Sequence, residues 1–272
     1  MTQPKSPPED PEILREIHTR FATQRSIMAL ILREMSTTYG RSPGGYIWAI
    51  LEPVAGIALL TVIFSAGFRT PPLGTSFALF YACGLLPFLM YSDVAMKVSQ
   101  TMGFSRALLE YPRVTFVDAL LARYLLSVLT QLMVHFLVIG GIFLIYSPHT
   151  SLDFNKIFLG YVVTLLLAFG VGTINSFLTL AYPVWQTVWA VMNRPIFLIS
   201  CLFFLFETIP QPWSDILWYN PLVHVMGIMR DGYYPYYQPT YVSVIYPCAI
   251  GAILTIVGLF LLNRYHRDIL DR

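Results

Sequence analysis

Long apolar runs alternate with short polar breaks along the chain, at lengths that fit a lipid bilayer. A membrane-spanning helix needs about 20 mostly apolar residues. Six stretches predict one span each: Ile47 to Phe68, Ser76 to Met96, Leu125 to Tyr146, Ile157 to Tyr182, Val184 to Phe206 and Ser243 to Leu262. The first contains Glu52-Pro53, and Gly84 and Pro87 are expected to kink the second. Ahead of the third span, Thr115 to Tyr124 is expected to project into water, and a tight Tyr182-Pro183 turn separates the fourth from the fifth. The pattern predicts an all-α polytopic membrane protein with six transmembrane helices.

The stretch from Leu32 to Pro53, LREMSTTYGRSPGGYIWAILEP, is where the chain enters the bilayer. Pro43-Gly44-Gly45 breaks any helix there, because proline lacks an amide donor and glycine is conformationally loose. Before the break, Ile17, Phe21, Met28, Ile31 and Met35 recur at helical spacing and fall on one stripe. Arg20 and Arg25 flank the stripe, and Arg15 and Arg33 lie opposite. Such a helix suits a membrane surface; the alternative is an ordinary amphipathic helix of a soluble domain. Residues 1–11, rich in proline and charge, are expected to be a disordered tail, with no cleavable signal peptide. An amphipathic interface helix is expected over 12–40, the membrane domain over 41–265 and a short tail over 266–272.

Between the last two spans, Glu207 to Tyr241 carries five prolines, Trp213, Trp218 and a tyrosine-rich run from Tyr233 to Tyr237. Ile216 to Met229 is apolar but too short to cross. Irregular backbone at membrane depth survives only inside protein or beside water, so a re-entrant pair of short helices on the outer side is expected. A loop lying flat in the interface is the other possibility.

Composition supports a membrane protein. Apolar residues make up 56% of the chain and charged ones 12%, about half the charge of a soluble domain; mean hydropathy is +0.61. Charge placement then sets orientation. Lys5, Arg15, Arg20, Arg25, Arg33, Arg41, Lys97, Arg106, Arg113, Arg123, Arg264, Arg267 and Arg272 fall on one side. Arg69, Lys156 and Arg230 fall on the other, and Arg194 is left inside a span. This asymmetry predicts that both termini are cytoplasmic. Cys83, Cys201 and Cys248 lie in apolar stretches and predict packing, not disulfides.

Motifs for chemistry are missing from the sequence. No Gly-Lys pair occurs, so there is no phosphate-cradling loop. There is no H-E-x-x-H or C-x-x-C, and His18, His135, His149, His224 and His266 are scattered. No catalytic residues and no metal site are expected.

The polar residues inside spans are therefore the informative ones. Arg123, Ser127, Gln131 and His135 repeat every four residues, which suits either hydrogen bonding between helices or a pore face. Arg194 lies about 16 Å beyond Pro183 if the helix rises about 1.5 Å per residue. A cation at that depth must face protein, water or an anionic ligand. Glu52 or Asp93 would be its partner if the role is structural. Trp185, Trp189 and Asn193 lead to it one turn apart, as a sugar-contacting wall or as packing. In the loop Ser99 to Arg113, Phe104, Leu108, Leu109 and Tyr111 alternate with Arg106, Glu110 and Arg113. Apolar knobs on a charged face suit insertion into a partner protein; a solvated connector is the alternative.

With these stretches in view, the chain resembles the transmembrane subunits of type-2 ABC exporters, and among them the capsular polysaccharide permeases of Gram-negative bacteria. The resemblance rests on LREMSTTYGRSPGGYIWAILEP, GLLPF at Gly84 to Phe88, RVTFVDALLARY at Arg113 to Tyr124, RPIFLISC at Arg194 to Cys201, and YNPLVHVMGIMRDGYYP at Tyr219 to Pro235. It covers almost the whole chain beyond the first ten or so residues. It implies a homodimer around a channel, with two copies of a separate ATPase subunit that holds ATP and magnesium. This chain then needs no cofactor of its own. It also implies lipid-linked polysaccharide as cargo, periplasmic adaptor and outer-membrane export proteins as partners, no nucleic acid, and a place in the bacterial inner membrane. An exporter of O-antigen or teichoic acid is the near alternative, and a membrane-bound glycan-assembly enzyme the distant one.

The resemblance also implies roles. Arg33, Arg41, Trp48, Arg123, Gln131, Trp185, Trp189 and Arg194 become candidates for the channel or for lipid head groups. Phe104, Arg106, Leu109, Glu110 and Tyr111 would couple to the ATPase. Trp213, Trp218, Asn220, Pro221 and His224 would form an outer gate. Since the phosphate loop is missing, the purified chain alone is expected to hydrolyse no ATP; turnover in a phosphate-release assay, free of any partner, would contradict this.

Overall fold

The computed structural model describes residues 22–38, 45–106, 115–148 and 150–270. The predicted tail 1–11, the start of the predicted interface helix, Arg41, the Pro43-Gly44 break, Leu109, Glu110, Tyr111 and residues 271–272 lie outside them. Among the described residues all extended regular structure is helical. In chain order, α1 spans Ala22–Thr38, α2 Gly45–Gly67, α3 Phe77–Ser99, and α4 the single turn Thr101–Phe104. Then come α5 Phe116–Tyr146, α6 Phe154–Ala181, α7 Trp185–Ile199, α8 Trp213–Trp218, α9 Pro221–Tyr233 and α10 Ile245–Leu270.

Among the described residues five helices are long and apolar enough to cross a membrane: Ile47–Gly67 within α2, then α3, α5, α6, and Ile245–Tyr265 within α10. The fifth predicted span, Val184 to Phe206, is helical only as far as Ile199. Its 15 residues rise about 22 Å at about 1.5 Å each, short of a hydrocarbon core of about 30 Å. Beyond Ile199 the backbone leaves the helix, and Cys201 adopts a φ of 58°. The apolar sequence there marks burial, since Ser200, Cys201 and Leu202 are all enclosed by protein.

The helix of the third span is long, as expected, with 31 residues. Its first turns, capped by Thr115 and running to Tyr124, do not project freely. A capping box starts it: the Asp118 amide donates to Thr115 Oγ1, and the Thr115 amide to the Asp118 carboxylate. Asp118, Ala119, Leu120, Ala122 and Arg123 are buried at once, against α1 and the end of α4.

Central to the protomer is α3. Its apolar stretch is 78% buried, against 11% for that of α2 and 22% for that of α10. It packs against α2, α5, α6 and α9. Leu79, Phe80, Leu86, Met90 and Val94 have almost no exposed surface. The outer helices instead show Ile47, Leu59, Val62, Ile256 and Phe260 outwards, as surfaces meant for hydrocarbon do.

The longest helix contact, between α6 and α10, depends on glycine. A Cβ on Gly258 would come within 2.8 Å of the Ile174 amide nitrogen, and one on Gly251 within 3.0 Å of the Leu166 carbonyl. These neighbours are backbone and cannot swing aside, and close backbone approach through small residues is the usual means of joining helices in lipid. Replacing Gly258 with leucine is expected to push α10 off α6 and cost at least the roughly 1–3 kcal/mol of core overpacking. A lower melting temperature in detergent, with reduced monodisperse yield, is the readout.

Candidate functional site

Three groups of polar side chains interrupt the apolar body. The first joins α1, α4 and α5. Arg123 projects from the second turn of α5 and is buried. Its Nε lies 3.1 Å from a Glu34 carboxylate oxygen of α1, and its guanidinium carbon sits 4.3 Å above the centre of the Phe104 ring. A planar, permanently charged group suits that combination of carboxylate and ring face. Ile27, Leu30, Ile31 and Glu34 form the inward side of α1, while Met28 and Leu32 are about 60% exposed, at 59% and 60%. The predicted stripe is thus divided: Ile31 meets the protein, and Met28 and Met35 face out. Arg33 and Arg106 are exposed. Half-exposed Phe104, from the predicted coupling set, enters this junction.

The second group lines a cavity of about 200 Å³ between α2, α3 and α5, walled by Glu52, Ser92, Asp93, Lys97, Thr130 and Gln131 among others. Lys97 Nζ sits 2.9 Å from Asp93, and the Ser127 hydroxyl donates to Asp93 at 3.0 Å. The four-residue stripe of α5 therefore splits by role. Arg123 and Ser127 tie helices together, Gln131 lines the cavity, and His135 is buried edge-on to Tyr161. Trp48 is exposed near the start of α2.

Helix α7 has a half-buried side and an open side. Trp185 donates to Asn175 of α6 at 2.8 Å, Asn193 donates to Ser92 of α3 at 2.8 Å, and Phe197 meets Phe88 edge-on. Trp189 packs between these contacts. The Trp185-Trp189-Asn193 stripe thus fastens α7 to α3 and α6. Arg194 is one position round, exposed beside Ala190 and Leu198 in a shallow cleft. Among the described residues no carboxylate pairs with Arg194. Asp93 is engaged by Lys97 and Ser127.

The third group is the buried end of the molecule around α9. Arg230 is fully buried. It donates to the Leu202 carbonyl at 2.9 Å and the Phe204 carbonyl at 3.1 Å, with its guanidinium over the Phe80 ring at 4.7 Å. The sequence placed Arg230 with the charges of the outer loops; the structure puts it inside, holding the unwound backbone after α7. Nine apolar or weakly polar residues precede it from Pro221 onward, which is the signal that could have marked it as an internal cation. Nearby, the Tyr237 hydroxyl donates to Glu207 at 2.9 Å.

The predicted gate residues build the same region. Asn220 caps α9 by accepting from the Leu222 amide, Pro221 supplies the first helical residue, and the Asn220 amide nitrogen donates to Ser200 Oγ at 3.1 Å. His224 accepts from the Ser243 amide at Nδ1, 3.1 Å, which leaves Nε2 to donate to the Trp218 carbonyl at 2.9 Å. Burial pulls this imidazole below its ordinary pKa, against the hydrogen bond to Trp218. Trp218 also donates to Tyr241. Trp213 remains exposed.

These features define a helical protein with several long apolar helices suited to a membrane. The model of the ABC-2 type transporter family matches residues 25–234, and the chain belongs to that family. It is 31% identical over 243 residues to the polysialic acid transport protein KpsM of Escherichia coli, covering 89% of this chain and 94% of that protein. It is 23% identical over 246 residues to the capsule polysaccharide export inner-membrane protein BexB of Haemophilus influenzae, covering 90% and 92%. To CtrC of Neisseria meningitidis, described in the same words, it is 22% identical over 247 residues, covering 90% and 93%.

The Arg230 contacts lead to a test. Arg230→Lys keeps the charge but not the planar fork, so one carbonyl loses its donor. A hydrogen bond from a charged donor is worth about 1.5–3 kcal/mol, so the melting temperature is expected to fall by several degrees. Cys201, fully buried in the held segment, is then expected to react with a maleimide in a variant lacking the other two cysteines. An unreactive Cys201 would show that Arg230 does not hold the segment.

Proposed function

We propose that this chain is the membrane subunit of an ATP-driven exporter that moves lipid-linked capsular polysaccharide from the cytoplasm across the bacterial inner membrane. The observation that carries this is likeness at full length to KpsM, 31% over 89% of the chain, joined by BexB and CtrC. The working unit is a homodimer with two copies of a separate ATPase subunit, which binds ATP and magnesium. Periplasmic adaptor and outer-membrane export proteins complete the route.

In this reading α1 lies along the cytoplasmic membrane surface. Segment 185–206 serves as a sixth span, and α8 and α9 form the re-entrant outer segment, with both termini in the cytoplasm. The open side of α7 then faces the channel. Arg194 meets the polymer or its phosphate-bearing lipid end, which compensates a cation that has no carboxylate partner among the described residues. The loop beginning at Phe104 docks on the ATPase, and the Arg123–Glu34 pair passes that contact to α1.

A chromosomal deletion complemented on a plasmid tests both levels. The deletion strain is expected to lose surface polymer by immunostaining and to retain it inside. Arg194→Gln, at an exposed position, is expected to leave expression, dimer mass and melting temperature within about 0.5 kcal/mol of the parent while surface polymer falls at least tenfold. Unchanged surface polymer in the deletion strain would refute the exporter; full surface polymer in the Arg194→Gln strain alone would refute the role of Arg194.

A further inference from the structure

Two cavities follow one another along the crevice between α2 and α5. The first is the polar one of about 200 Å³, which Glu52 of α2, Asp93 and Lys97 of α3 and Gln131 of α5 line together. The second, of about 210 Å³, is apolar, lined by Val54, Ile57 and Ala58 of α2 and by Leu137, Val138 and Gly141 of α5. Pro53 of the first and Ile57 of the second are four positions apart, and Gln131 and Val138 seven. Each pair therefore shares a helix face, and a ligand with a polar head and an apolar tail would reach both cavities.

Neither end is closed by contacts of the fold. Asp93 is engaged by Lys97 at 2.9 Å and by Ser127 at 3.0 Å. Exposed Glu52 has no ion pair or hydrogen bond among the described residues, and neither has the side-chain amide of Gln131. Two carboxylates against one ammonium leave this lining one negative charge in excess. Glu52 lies five residues into the span that begins at Ile47, about 8 Å along it at about 1.5 Å per residue. An ionisable residue inside a span is costly and marks a functional site by default. At the apolar end, a Cβ on Gly141 would meet no atom within 4 Å, whereas the glycines of α10 press on backbone. This open space lies beside α2, whose apolar stretch is the least buried of the five, at 11%.

We propose that the crevice binds one phospholipid with an ethanolamine head group. Its primary ammonium donates to the Glu52 carboxylate, its phosphate accepts from the Gln131 amide, and one acyl chain lies between Ile57 and Val138. Charge selects this head group. An ammonium with three N–H donors answers the excess carboxylate through charge-assisted hydrogen bonds. A choline head has the charge but no N–H. A glycerol head has neither, and leaves the negative charge of its phosphate beside Glu52. Lys97 puts the polar end on the cytoplasmic side in the orientation proposed above, so the lipid belongs to the cytoplasmic leaflet. The inference goes beyond the export reading and does not depend on the cargo.

Native mass spectrometry of the purified, delipidated full chain tests this, with dioleoyl phosphatidylethanolamine, phosphatidylcholine and phosphatidylglycerol added at equal concentration. The parent is expected to retain the ethanolamine lipid at least tenfold better than the other two, the range of one charge-assisted hydrogen bond. Glu52→Gln is expected to lower it to the level of the choline lipid, with the melting temperature of the lipid-free protein unchanged. Gly141→Leu, which fills the apolar cavity, is expected to lose all three lipids. Equal retention of the three lipids by the parent, an unchanged ethanolamine preference in Glu52→Gln, or full retention by Gly141→Leu overturns the site. No retained lipid on the parent also overturns it, and a disulfide-linked dimer of a Gly141→Cys variant would then give the crevice to a second copy of the chain.

Discussion

The hydrogen bonds from Arg230 to the Leu202 and Phe204 carbonyls solve the main physical difficulty of this fold. Helix α7 ends at Ile199, and the next residues are enclosed by protein with no helical ladder to satisfy their carbonyls. Buried backbone acceptors left unpaired are expensive. A guanidinium offers a fork of donors on one rigid plane, so one side chain reaches two carbonyls that lie two residues apart. Phe80 of α3 covers its face. The end of α7, the first turns of α3 and the last turn of α9 are thereby fixed relative to one another.

The same logic separates the three arginines found in apolar surroundings. Arg230 and Arg123 are each buried against oxygen acceptors and an aromatic ring, Phe80 in one case and Phe104 in the other. Each is compensated inside the protomer, and each joins elements distant in sequence. Arg194 is exposed, on a helix with no buried residue. A cation that the protomer leaves open is available to a partner or substrate, and that difference in burial is why Arg194, and not the other two, carries the transport role proposed here.

Much was legible in the sequence because the bilayer imposes a length on apolar runs. Five of the six predicted spans correspond to long helices, with boundaries within a few residues except that α5 begins at Phe116, ahead of Leu125, and α10 runs on past Leu262 to Leu270. The Asn220-Pro221 start of α9 follows from local capping chemistry, and so does the break before α6, where Asp153 accepts from the Asn155 and Lys156 amides. Helix entry and helix length are properties of neighbouring residues, so they survive without knowledge of the fold.

What the sequence could not decide was which polar residues meet. Apolar composition looks the same in a lipid-crossing helix and in a buried irregular segment, so Val184 to Phe206 read as one span although its last residues are unwound. Arg230 reads as a loop charge until Phe204, 26 positions earlier, is placed beside it. Glu34 and Arg123 are separated by most of three helices. The sequence by itself determined a helical membrane protein of this family, because hydrophobic length and local capping are short-range. Tertiary structure alone decided which cations are spent on the fold and which remain open, because pairing and burial depend on contacts between helices far apart in the chain.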